Sequence, residues 1–184
     1  MSDTPRYGWH KRLAERFGVG GDARYILVAG VSAIASSGIA AYLLRQPLLF
    51  PSLGPTVFLV FETPMAIPAS PRNTLIGHGI GIAVGFGAVV LWGLRGAPNV
   101  LEAGVTPARI GAAAFAVAIT GALLILLDAA HPPAGASTLI VSLGLLATPE
   151  KVLAMATGVV FLTLVAWLIN RLLGVPVHPW RART

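Results

Sequence analysis

Apolar residues along this chain gather into four runs long enough to cross a bilayer, at 26–44, 75–94, 110–127 and 152–173. A spanning helix needs about 20 mostly apolar residues. None of the runs carries an internal charge before Arg171, at the end of the last. Two further apolar stretches, 52–61 and 134–147, are too short to span as helices. Each follows a proline and contains Gly, Ser or Thr. Proline suits the first helical turn, where its missing N–H costs nothing. A short apolar helix between two full spans predicts a re-entrant or broken half-helix. The expected fold is an all-α polytopic membrane protein with four long transmembrane helices and two half-helices.

An offset of about 81 residues places Pro51 on Pro132, Gly54 on Gly135, Thr56 on Ser137 and Val60 on Val141. It also places Gly30 on Gly111 and Gly77 on Gly158. Pro-x-x-Gly-x-[Thr/Ser] therefore occurs in both short helices. Two internal repeats are expected, about 25–94 and 106–173, each helix, half-helix, helix, as in many transporters. Parallel repeats with four crossings and inverted repeats with six both fit the pattern. In the six-crossing case the 62–71 segment is expected to cross extended; a mildly basic 95–109 loop favours four.

Composition agrees with the membrane assignment. The chain of 184 residues is 55% hydrophobic and only 11% charged, against about a quarter charged in soluble domains. The net charge of +6 would suit nucleic acid if it were clustered among aromatics. Instead Arg6, Lys11, Arg12, Arg16 and Arg24 precede the first run, and Arg171, Arg181 and Arg183 end or follow the last. That predicts both termini on the cytoplasmic side of a bacterial inner membrane and no nucleic-acid partner. Residues 1–24 lack the apolar core of a signal peptide and read as an interfacial helix; 174–184 read as a cytoplasmic tail. With no cysteine, disulfides and thiolate sites are excluded. No enzyme motif, metal-ligand spacing or cofactor signature is visible, so the chain reads as a non-enzyme without cofactor or metal.

Three clusters could carry chemistry. Asp128 and His131 stand between two apolar segments, where ionisable groups are expensive and often functional. They are proton-coupling candidates, with Asp128 orienting His131; the structural alternative has Asp128 capping the half-helix. Arg72, Asn73 and His78 stand at a helix start, which attracts anions, with Asn73 or Thr74 as the cap. The half-helix starts carry Ser52, Gly54, Thr56, Gly135, Ser137 and Thr138. If both met at one point, their dipoles and hydroxyls could hold an anion, and the glycines would let backbone or a solute approach. Gly77, Gly81 and Gly85 recur at four-residue spacing as a packing strip. So few long spans enclose little volume, which predicts a homo-oligomer, a dimer or trimer.

PSLGPTVFLVF at 51–61, PASPRNTLIGHGIG at 68–81 and DAAHPPAGASTLI at 128–140 together resemble the HPP family of membrane proteins. The resemblance covers roughly 24–173. It implies a small multi-spanning unit, and some members are implicated in nitrite transport in cyanobacteria and plastids. A transporter or channel for a small anion, nitrite first, is therefore the leading expectation. A channel for a neutral or weak-acid solute and a non-transporting scaffold or sensor are the rivals.

Overall fold

The computed structural model describes residues 21–45 and 48–182. The expected interfacial segment falls almost wholly outside them. The described residues form helices with no strand: α1 (Gly21–Leu44), α2 (Leu53–Glu62), a 3₁₀ turn (Ile67–Ala69), α3 (Pro71–Leu91), α4 (Val100–Ala103), α5 (Pro107–Leu126), α6 (Ala134–Ser142) and α7 (Pro149–Leu172). Four of these, α1, α3, α5 and α7, are long and apolar enough to cross a membrane.

Three of the long helices start earlier than their apolar runs. Ser70, Thr106 and Thr148 each accept a bond from the backbone amide three residues on, and each is followed by proline. A hydroxyl cap satisfies an orphan amide, and proline suits the next position. Ser70, rather than Asn73 or Thr74, thus caps α3. The half-helices start differently. Neither has a side-chain cap; Ser52 and Pro133 before them are already helical in conformation. The amides of Ala134, Gly135 and Ala136 turn back onto the carbonyls of His131, Pro132 and Pro133. Asp128 therefore does not cap α6. Gly144, at φ +87°, ends α6 before the expected apolar limit, and a Cβ there would lie 2.6 Å from the Arg109 guanidinium. Arg109, 2% exposed, donates to the carbonyls of Ser142, Ala97 and Pro98. A fixed cation at the negative end of a helix is favourable.

Contacts between helix ends fix the path of the chain. At one end, the tail end, Tyr25 of α1 donates to Asn170 of α7, and Asn170 donates to the Val60 carbonyl near the end of α2. Arg72, starting α3, donates to the carbonyls of Leu127 and Asp128, just past α5. The C-terminal segment packs here too. Trp167 donates to the His178 carbonyl, His178 to the Met65 carbonyl and the Arg72 amide to the Trp180 carbonyl. At the far end, Gly111 of α5 abuts Trp92, which follows α3, and Arg109 of α5 holds the end of α6. α3 touches α5, α6 and α7; α7 touches α1, α2 and α3.

The glycine strip on α3 receives α6 within the chain. A Cβ on Gly77 would lie 2.7 Å from His131 Cβ, and one on Gly81 2.6 Å from the Ala134 carbonyl oxygen. Removing the side chain lets the two backbones approach closely enough to seat the half-helix. The main apolar core lies around Tyr25, Leu53, Phe61, Met155 and Leu162, joining α1, α2 and α7.

Candidate functional site

Thr56 is the fourth residue of α2 and Ser137 the fourth of α6. Both hydroxyls reach the same ring. Thr56 Oγ1 is 2.9 Å from His78 Nε2, and Ser137 Oγ is 2.6 Å from His78 Nδ1. His78 is delivered by α3, about two turns in from its cap. His131, in the extended segment before α6, completes the group. Its Nε2 lies 3.2 Å from His78 Nε2 and 3.4 Å from Thr56 Oγ1. Its Nδ1 lies 2.8 Å from the Pro68 carbonyl oxygen. Both histidines, Thr56 and Ser137 are buried.

Hydroxyls continue around this core. Thr56 donates to the Ser52 carbonyl, and Thr138 to that of Ala134. Thr138 also bonds Thr120 of α5 at 3.1 Å. The Ser52 hydroxyl is fully buried and has no partner; among the described residues it is the only buried side-chain polar atom of which this is true. A buried hydroxyl without a partner costs about 1–3 kcal/mol. That makes Ser52 Oγ a position where a polar ligand atom would relieve a penalty.

The structure thus brings together Thr56, His78, His131 and Ser137, with Ser52 joined through its carbonyl and Thr138 bonded instead to Thr120 and the Ala134 carbonyl. It gives the other expected members different work. The Arg72 guanidinium is committed to the Leu127 and Asp128 carbonyls and to Asn73 Oδ1. Asn73 Nδ2 donates to the Ala130 carbonyl. The first amides of α3 are also occupied, by the Trp180 carbonyl, Ser70 Oγ and the Ser70 carbonyl. The start of α3 is therefore not an open anion site. Asp128 does not orient His131: it pairs with Arg181 at 2.7 Å on the exposed tail end, and the backbone of Pro68 orients the ring instead. Gly54 and Gly135 are half-buried, and a Cβ at either would meet nothing within 4 Å. Neither serves a close approach within this chain.

Sequence reasoning missed three contributors. Pro68, as a backbone acceptor, carries no side-chain signal. Thr120 looks like one more small residue in an apolar run. Arg109 looks like a loop flank, although an arginine two residues after Thr-Pro sits within the first turn of a helix. No group of three or more potential metal ligands exists among the described residues.

The family model for the HPP transmembrane region matches residues 20–178, and the chain belongs to that family. No curated protein and no solved structure matches it.

Proposed function

For a chain of the HPP membrane family, we propose a transporter or channel for a small inorganic anion, nitrite being the first candidate. Its site is the buried His78–His131 pair with Ser52, Thr56, Ser137 and Thr138. One observation carries this reading: the opening turns of the two half-helices converge on opposite nitrogens of one buried histidine. Discontinuous passes meeting at mid-membrane are where transporters place substrate, and buried ionisable side chains in such passes mark ion and proton paths.

The arrangement of passes supports the same reading. α1 runs from the tail end to the far end, and 48–62 returns, ending as α2. α3 leaves again. α5 comes back, 127–142 crosses outward through His131 and α6, and α7 closes at the tail end. The second half thus repeats the first upside down, in six passes, with the broken crossing made by the segment before each half-helix rather than by 62–71. Matching contacts favour an inverted repeat. A Cβ on Gly77 would lie 2.7 Å from His131 Cβ, and one on Gly158, 81 residues later, 2.7 Å from the Leu48 carbonyl oxygen and 3.3 Å from the ring of Phe50, which is His131 shifted by the same offset. Both termini then share one face. Of the 13 Lys and Arg residues, Arg45, Arg95, Arg109 and Lys151 fall toward the far end, so the tail end is the cytoplasmic one. Pro51 just before α2, Pro55 and Phe58 on it, Pro132 just before α6 and Leu139 on it are exposed, surfaces that lipid or a second copy in a homo-oligomer would cover.

Purified protein in liposomes should admit nitrite faster than empty liposomes. Absence of flux for nitrite and related small anions refutes the assignment. A second reading has a specific motive. The Arg72 guanidinium and the α6 amides are already bonded, which favours a solute arriving with its own proton. Uptake would then follow the protonated species across pH, and a voltage-driven anion current would exclude it.

A further inference from the structure

We propose that His78 and His131 form a single-proton site, and that its loading turns Ser137 from a donor to the pair into a donor to the solute. The proton-site part stands on geometry alone; the coupling part rests on the anion-transport reading above.

Bond partners fix the ring protons. The Pro68 carbonyl can only accept, so His131 Nδ1 carries hydrogen. Neutral His131 then presents a lone pair at Nε2. His78 Nε2 faces that lone pair at 3.2 Å and must be protonated. Thr56 spends its hydrogen on the Ser52 carbonyl and so accepts from His78 Nε2 as well. Neutral His78 is left with a lone pair at Nδ1, 2.6 Å from Ser137 Oγ, so Ser137 donates. In the empty state every bond points one way, from Ser137 through both rings to Pro68.

One added proton has one accommodating arrangement. Both Nδ1 atoms carry hydrogen and a single hydrogen lies between the two Nε2 atoms. His78 Nδ1 then donates to Ser137, whose own hydrogen is released. A second added proton would oppose two N–H groups across 3.2 Å and put two like charges side by side in a buried site. The capacity is one.

Among the described residues of the elements packed against the pair, no other charge competes for this role. Arg72 on α3 is held by carbonyls, and Asp128 by Arg181. On α2 the one charge is Glu62, exposed at the tail-end terminus. Arg109 on α5 is bonded at the far end; on α7, Glu150 and Lys151 lie at the far end and Arg171 over Trp167 near the tail end. α6 and the 3₁₀ turn carry none. The released Ser137 hydrogen would then face an anion beside one positive charge. Proton and anion would move together, one of each, with no net charge.

Two measurements test this. Nitrogen-15 NMR of histidine-labelled protein in lipid, assigned by difference with His78→Gln and His131→Gln, should show His131 protonated at Nδ1 and His78 at Nε2 near neutral pH. Acidification should add one proton to the pair, appearing at His78 Nδ1. Either ring in the opposite tautomer, or two protons taken up, overturns the proton site. If the glutamine variants do not fold, His10→Gln and His178→Gln assign the pair by subtraction instead. In proteoliposomes, one proton should enter per nitrite, with uptake rising as the loading side is acidified and indifferent to membrane potential. Ser137→Ala should lower nitrite uptake at least tenfold while leaving the single-proton uptake in place. Nitrite flux without accompanying protons overturns the coupling and spares the transport reading. Correct tautomers with no flux overturn the transport reading and the coupling that rests on it, and spare the proton site.

Discussion

The segments leading into α2 and α6 share a backbone plan and differ in chemistry. In each, a non-helical stretch passes a glycine on a long helix at a separation that admits no Cβ, and then turns into a short helix. Gly77 meets His131 in one, and Gly158 meets the Leu48 carbonyl and Phe50 in the other. Around His131 the neighbours are His78, Thr56 and the Pro68 carbonyl. Phe50 belongs to an apolar cluster with Leu53, Met155 and Val159. Val159 itself stands where His78 stands in the other half. The chain therefore has two glycine junctions of like packing, one lined by polar groups and the other by apolar ones.

The largest effect should come from attacking the shared backbone plan. Gly77→Leu would drive a side chain into the His131 segment, whose Cβ lies 2.7 Å from a built Cβ. Gly158→Leu should do the same to Leu48. Both should abolish monodisperse protein in detergent, because backbone cannot give way as a flexible side chain can. Wild-type elution and thermal stability for either variant would break the claim that the junctions are equivalent in packing.

Next comes an exchange that keeps shape and changes chemistry. His131→Phe places the first junction's residue in the second. Packing should largely survive, since a ring replaces a ring. The fold should lose about 1–3 kcal/mol, because Asn73 and Arg72 still hold the segment while His78 loses a bonding partner. A melting midpoint several degrees lower, with nitrite uptake gone, is expected. Unchanged uptake would show that the polar junction is not the site.

The outline of this architecture was legible in the chain, and its wiring was not. Hydropathy placed all four long helices within a few residues, because apolar runs of that length have little else to be. The early starts lay in the Ser70-Pro71, Thr106-Pro107 and Thr148-Pro149 pairs, a capping signal that hydropathy averages away. His78, His131, Thr56 and Ser137 could be singled out as polar exceptions. Their convergence could not, since it joins residues 22 to 75 positions apart. Asp128 misled because proximity in sequence to His131 suggested a pair, whereas its positive φ of 49° marks a turn that sends the two side chains different ways. Arg72 misled because a cation at a helix start resembles an anion site. Its reach to the carbonyls ending α5 depends on which helix lies alongside.

A smaller loss is expected from Arg72→Lys. Lysine can replace the charge at the end of α5 but not the fork that engages the Leu127 and Asp128 carbonyls together. Bonds between transmembrane elements average roughly 0.6 kcal/mol, so a modest drop in thermal midpoint should appear. Anion affinity should stay within about twofold, roughly 0.4 kcal/mol at 1.4 kcal/mol per tenfold. A large loss of affinity with stability intact would return Arg72 to the site.

Asp128→Asn should change least. The Asp128–Arg181 pair is 2.7 Å long, but both side chains are more than half exposed. Such pairs contribute at most about 1 kcal/mol, and less in salt. Asparagine retains an acceptor for Arg181, so the tail should stay docked through the Trp167, His178 and Trp180 contacts. Nitrite uptake and its pH dependence should match the unaltered protein. This small effect discriminates sharply, because Asp128 is the one carboxylate near His131 in sequence. If its removal shifted the pH profile while leaving the fold intact, the proton path would run through the exposed tail end as well as the histidine pair. If it shifted nothing, the pair alone would carry the proton, and the asymmetry between the two junctions would reduce to which residue faces Gly77 and which faces Gly158.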